Sequence, residues 1–358
     1  MFSTLSDFAL SDPALSDPYI AAAFWTGLAA LLLTVLLGVQ ILRLRMGLRR
    51  RERRELQALA KWRPVLNAAA VGEVPDALPV LRKDERLPLL KVWVHLQASM
   101  RGEAQDSLNA VAYRLGLDAQ ARAMLDHRRR AERLLATLVL GYLRDAQSWA
   151  PLLRLAGQDD STLSLNALWA LVRIDPHAAA EHMTPFFIER EDWALSRVVS
   201  ILEEAREPVA AVLARMLPDL PRDRVPRALR LAEALRVTPP PAWLADALHG
   251  PETIVIAALR SVQDPTLIDD VRALLVHGDW QVRVQAAKAL GRIGDRRDIE
   301  HLAPLLQDPQ WWVRYRAAQA LLELPGVAAQ DIDRLRAGLT DRFGIDMLAQ
   351  VLAEREAA

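Results

Sequence analysis

The sequence predicts an all-α fold, an α-solenoid of about seven helical hairpins preceded by a single transmembrane helix. Three observations carry that prediction. Residues 19–42 form an apolar run without a charge, and a motif in the second half of the chain recurs after 31 residues. Within that motif, apolar residues return at the three-and-four spacing of one helical face. Length and composition agree, since 358 residues at 52% hydrophobic content supply a sizeable core. The 45 basic and 45 acidic residues cancel, which removes the whole-chain positive field of a general nucleic-acid binder. The chain has no cysteine, so disulfides, thiolate metal sites and cysteine nucleophiles are excluded.

Taken in order, residues 1–18 carry Asp7, Asp12 and Asp17 and no cation, unlike the positive start of a cleavable signal. They read as a short extracytoplasmic N-terminus. Residues 19–42 (YIAAAFWTGLAALLLTVLLGVQIL) are apolar on every face. At ~1.5 Å per residue such a helix crosses a hydrocarbon core of ~30 Å with some tilt to spare. Residues 43–63 form a basic juxtamembrane segment with Arg43, Arg45, Arg49, Arg50, Arg51, Arg53 and Arg54. By the positive-inside rule this side is cytoplasmic, and Tyr19, Phe24 and Trp25 belong near the outer interface. The expectation is a single-pass protein of the inner (cytoplasmic) membrane, N-terminus outside, with anionic lipid as partner of the arginine cluster at ~1 kcal/mol per charge.

Residues 64–127 look helical, with Pro64, Pro75, Pro79 and Pro88 as breaks, and form a cap or divergent repeats. Residues 128–325 hold the repeats. Trp280–Leu290 (WQVRVQAAKAL) aligns with Trp311–Leu321 (WWVRYRAAQAL). Stepping by the same period from these marker leucines reaches Leu259, and a second register runs through Leu140, Leu171 and Leu202. A degenerate unit around residues 227–237 fills the gap between the two registers. Val282, Ala286, Ala289, Leu290 and Ile293 lie on one face of such a helix, and Val313, Ala317, Ala320, Leu321 and Leu324 repeat it. A second helical stretch precedes each, with Asp279, Asp308 and Pro309 breaking the chain between them. Such a hairpin cannot bury its apolar face alone, so copies must stack.

The motifs DWQVRVQAAKALGRIGD (279–295), DPQWWVRYRAAQALLEL (308–324) and DDSTLSLNALWALVRID (159–175) resemble HEAT repeats, particularly the short bacterial type also found in phycobilin-lyase-like proteins. The likeness covers roughly residues 130–325. It implies that Arg283 and Arg314 tie repeats together through turn acids such as Asp279 and Asp308. Residues 326–358 read as C-terminal capping helices.

A search for chemistry finds near misses with structural explanations. Gly291 and Gly294 give only GRIG, at a helix end. His177, Glu181 and His182 follow a repeat linker and read as surface residues. The His-Glu dipeptides that mark iron-binding HEAT-type hydroxylases are absent from the sequence. No catalytic residue, cofactor or metal is expected, and the chain is read as a non-enzyme.

The informative surface is on the second helices, where Trp169, Arg173, Lys288, Arg292, Tyr315 and Gln319 fall opposite the core stripe. They would line the inner surface if the array curves in the family's usual sense. Trp280 and Trp311 share one register position and Trp193 and Trp312 another, and these rings are expected to pack between repeats. A mixed cationic and aromatic groove suits a protein segment or helix. Charge argues against nucleic acid, because residues 1–42 carry −3 and residues 43–63 carry +7, leaving −4 on the remainder. The function expected is a membrane-tethered cytoplasmic scaffold or adaptor that binds partner proteins. The resemblance also admits an accessory subunit of an envelope polysaccharide synthesis assembly, or a lyase-like enzyme with its site between repeats.

Overall fold

The computed structural model describes residues 18–357, without the side chains of Pro18, Ile20, Ala21, 47–52, Arg54 and Glu55. The expected N-terminal segment 1–18 therefore lies almost wholly outside the described residues. Nineteen α-helices and no strand are present among the described residues. The chain divides into two compact units, 1–119 and 120–358.

In the first unit, α1 (Pro18–Ala70) is one continuous helix of 53 residues, ~80 Å long at ~1.5 Å per residue. Its stretch Ala22–Met46, with mean hydropathy 2.1, is long and apolar enough to cross a membrane, and none of it is buried in the protein. The same helix runs on through the basic segment into a small core. There Ala58, Trp62, Leu66 and Ala69 pack against α2 (Arg86–Ser99) and α3 (Glu103–Arg114). Pro64, expected as a break, sits inside α1. Its ring removes one helical hydrogen bond, but Trp62, Val65, Leu66 and Ala69 around it are buried and hold the helix by packing. Pro88 also lies within a helix, in the first turn of α2, where an amide hydrogen has no helical acceptor to lose. Trp93, fully buried, donates its indole N–H to the Leu108 carbonyl at 2.9 Å and ties α2 to α3. Lys61 closes the base with bonds of 2.7 Å to Glu85 and to the Val80 carbonyl.

The second unit follows α4 (Leu117–Met124) with α5 (Arg130–Leu143), and then with seven pairs. These are α6 (Trp149–Ala156) with α7 (Ser161–Ile174), α8 (Pro176–Glu189) with α9 (Leu195–Leu202), and α10 (Arg206–Met216) with α11 (Val225–Ala234). Next come α12 (Pro241–Leu248) with α13 (Glu252–Ser261), and α14 (Ile268–Ala273) with α15 (Trp280–Ile293). The array ends with α16 (Ile299–Leu302) and α17 (Trp311–Glu323), then α18 (Ala329–Gly338) and α19 (Arg342–Ala357). Each odd-numbered helix from α5 to α19 packs on the next, so the second helices form an unbroken row. Leu140, Leu171, Leu202, Leu235, Leu259, Leu290 and Leu321 are all fully buried in it. Burial of each contributes about 1.5–3 kcal/mol relative to exposure.

Close approach along the row depends on small residues. A Cβ at Gly291 would stand 2.9 Å from the Ala320 Cα, so α15 and α17 meet backbone to backbone. Aspartates begin the helices. Asp160 accepts from the Leu163 amide at the start of α7, Asp175 from two amides of α8, and Asp279 from Gln281 and Val282 of α15. Arg283 reaches across to the next turn and bonds both carboxylate oxygens of Asp308, at 2.7 and 3.0 Å. Arg314 instead bonds the Asp308 and Pro309 carbonyls and lies over the Phe343 ring.

Two acids of the array, Asp160 and Asp331, titrate below the ordinary carboxylate range. The Arg130 guanidinium and the Leu163 amide hold Asp160 far below it, and Arg296 with the Ala328 amide lowers Asp331. A folded-state pKa below the unfolded one gives stability that is present at neutral pH and is lost as pH falls below about 4. Acid unfolding followed by circular dichroism checks this. Asp160→Asn is expected to be less stable than the native chain at pH 7, with the difference shrinking as the pH is lowered. A difference independent of pH would show that the charge of Asp160 contributes nothing.

Candidate partner-binding face

Two residues before or after a marker leucine is a rotation of about 200° on a helix, so those positions face away from the core, except around Leu259, where Ala257 and Ser261 are buried. In the row they are occupied by Trp169, Arg173, Lys288, Arg292 and Gln319, with Tyr142, Ser200, Glu204 and Glu323 at equivalent places. The six sequence-predicted residues fall into three separate local settings.

The first joins Trp169 and Arg173 on α7 to Tyr142 on α5. The two rings meet edge to face, with centroids 4.9 Å apart. The Arg173 guanidinium lies 5.5 Å from the centre of each ring and faces Glu204 at 3.4 Å. Beneath the indole is Gly141, where a Cβ would stand 2.4 Å from the Trp169 Cζ3. Trp169 is therefore seated on bare backbone, and a side chain at 141 displaces it. A groove of about 480 Å³ opens here, lined by residues of α5, α7 and α9 and by the turn before α9.

The second setting is α15. Lys288 is exposed. The guanidinium of Arg292 is folded back onto the carbonyls of Leu259, Arg260 and Val262, at 2.8, 3.3 and 3.1 Å, and caps the end of α13. Its position matches that of Arg173, but its donors tie neighbouring repeats together.

The third is an aromatic cluster at the start of α17. Tyr315 stacks on Trp311 at 5.0 Å, and Trp312 meets both rings edge-on. The Tyr315 hydroxyl donates to Glu354 of α19 at 2.8 Å, which raises its pKa above the ordinary tyrosine value. Gln319 accepts from Arg316, whose guanidinium lies 5.7 Å from the Tyr315 ring. Trp311, Trp312 and Phe343 are 41, 52 and 66% exposed. The expectation that the repeat tryptophans pack between repeats fails for the first two. It holds for Trp193, 1% exposed, whose indole N–H donates to Ser164 at 2.9 Å. The difference follows from helix start. Trp312 is the second residue of a helix, whereas Trp193 lies in the turn before α9, where its ring reaches Ser164 of α7.

The groove residues Leu165, Asn166, Asp192 and Arg197 are not singled out by register, because they require three helices to be side by side. The spacing of Thr162, Leu165, Asn166 and Trp169 along one face of α7 is the one signal the sequence carries for them. His177, Glu181 and His182 do not converge. Glu181 pairs with Arg215, and His182 lies beside Trp149. Among the described residues no group of acids and histidines is arranged to hold a metal ion. In the basic segment of α1, Arg43, Arg45 and Arg53 are exposed, and the side chains of Arg49, Arg50, Arg51 and Arg54 lie outside the described residues.

The family described as HEAT repeats matches residues 253–323. Among solved structures, the chain is similar to the complex of CpcE and CpcF of phycocyanin lyase from Nostoc sp. PCC7120. That similarity has 18% identity and a TM-score of 0.29, covering 64% of this chain and 94% of that one. It is also similar to an engineered protein at 16% identity and TM-score 0.34, covering 83% and 90% of the two chains. A second engineered protein matches at 17% identity and TM-score 0.22, covering 67% and 96%. No curated protein matches the sequence.

Proposed function

We propose that this HEAT-repeat chain is a membrane-tethered scaffold that recruits protein partners to the cytoplasmic face of the inner membrane. The observation that carries the reading is the unbroken row of second helices, whose outward positions hold aromatic and cationic side chains, on a chain that also has an apolar helix long enough to cross a membrane. Tyr, Trp and Arg are the residues that dominate protein–protein recognition when partly desolvated. Orientation follows from charge. The cations after the span keep the repeats cytoplasmic and the N-terminus outside, and Arg43, Arg45, Arg49, Arg50, Arg51, Arg53 and Arg54 meet anionic lipid. Tethering raises the effective concentration of the binding face toward membrane partners without any new contact. The role is binding, not catalysis.

Site-specific photocrosslinking in whole cells tests this. A photoreactive residue at Thr162, Lys288 or Trp312, on the second helices, is expected to give an adduct of discrete mass in the membrane fraction. The same residue at Arg154 or Ala211, exposed on first helices, is expected to give none. Equal adducts from both faces, or none from either, would count against the scaffold.

A further inference from the structure

Building on that reading, we infer that the groove between α5, α7 and α9 receives an amphipathic helix of the partner that carries acidic residues beside its apolar face. The shape comes first. Thr162, Leu165, Asn166 and Trp169 line the floor at the three-and-four spacing of one face of α7. Leu138 and Tyr142 of α5 form one wall; Arg197, Ser200 and Ile201 of α9 form the other. A trough whose floor is one helix and whose walls are its two neighbours runs parallel to the floor helix, and a rod of helix diameter fits it better than a flat surface does. The floor spans residues 162–169, about 10 Å at ~1.5 Å per residue, or two turns of a docked helix.

The chemistry selects the occupant. Leu138, Leu165, Trp169 and Ile201 are half-buried and give an apolar bed. Trp169 is held at its centre by the Tyr142 edge, the Arg173 guanidinium and the bare backbone of Gly141, so it presents a fixed ring. Preorganised aromatic anchors of this kind lose little entropy on binding. Asp192 at the rim is already bonded twice by Arg190, at 2.8 and 2.6 Å. Arg197 is exposed and has no ion pair among the described residues. Arg173, at the end of the floor, faces Glu204 through a single contact of 3.4 Å. The charge left over at the groove is positive, so an apolar stripe flanked by Glu or Asp is complementary and one flanked by Lys or Arg is repelled.

The test places a photoreactive phenylalanine analogue at Leu165 or Ser200 of the full-length protein in its native membrane, with Trp312 as a site outside the groove. The crosslinked partner segment is read by mass spectrometry, made as a synthetic peptide, and titrated against full-length protein in detergent. The expected result is an acidic, amphipathic segment that turns helical on binding. Its affinity should fall at least tenfold with Arg197→Glu, an exposed change that spares the core, and by a similar factor with Gly141→Ala, which displaces Trp169. Crosslinks from Trp312 but not from Leu165 or Ser200 would overturn the groove assignment and leave the scaffold standing. A basic segment, one that stays extended, or binding indifferent to Arg197→Glu would overturn it as well. Absence of crosslinks at every site would remove the scaffold reading itself.

Discussion

Replacing Asp308 with leucine is expected to lower the unfolding free energy by about 3–5 kcal/mol, because it leaves a buried guanidinium without its counter-ion. The side chains of Arg283 and Asp308 are 13 and 9% exposed, and both carboxylate oxygens are engaged by the arginine. What remains for Arg283 is the pair of carbonyls of His277 and Gly278. The same aspartate accepts from the Gln310 amide at 2.8 Å, just before α17 begins, so the start of that helix is weakened too. In a linear array the damage stays near its source, since each repeat contacts its neighbours only. Amide hydrogen exchange should therefore rise in α15 and α17, while the core of the first unit, around Trp62 and Trp93, keeps its protection. The double variant Arg283→Met, Asp308→Leu distinguishes the buried-charge mechanism from simple loss of a contact. With both partners apolar it should recover much of the loss, as exchange of a whole buried pair is often neutral. A single variant as stable as the native chain in urea unfolding would show that Arg283 is solvated and the tie dispensable.

That tie was anticipated by the resemblance to HEAT repeats, which pairs Arg283 with a turn acid, while the 31-residue period located the marker leucines. Period and face are local properties, set by helix geometry and the need to bury one stripe. The degenerate unit was legible as well, since Leu235 is as deeply buried as the marker leucines of the two regular registers. What register does not carry is the partner across a helix gap. Arg173 and Arg292 occupy equivalent positions, yet one lies over two rings and the other caps a neighbouring helix. The difference lies in the preceding repeat, which offers Tyr142 to the first and the free carbonyls at the end of α13 to the second. Tyr315 was likewise placed on the surface by register, but its bond to Glu354 depends on a helix 39 residues away. Pro64 misled for a related reason. Its local penalty is real, and the burial that outweighs it comes from α2 and α3.

Deletion of residues 19–42 is expected to move the protein completely from the carbonate-washed membrane fraction to the soluble one while leaving its fold intact. The two halves of that outcome rest on different parts of α1. Its apolar stretch, Ala22–Met46, is entirely unburied, so removing its residues up to 42 takes nothing from the core. Core burial on this helix begins at Ala58 and continues through Trp62 and Leu66, and those residues remain. Hydrocarbon insertion of such a segment is effectively irreversible, whereas the arginines left behind offer only about 1 kcal/mol each near anionic lipid. The shortened chain should thus bind vesicles rich in phosphatidylserine at low ionic strength and release from them in salt, as screening over ~8–10 Å requires. Unfolding in urea should match that of the full-length chain in detergent. Retention in the pellet after carbonate would place the anchor elsewhere than in α1. Loss of cooperative unfolding would mean that the first half of α1 supports the core through the continuous helix, and that the span and the small core it enters fold as one element.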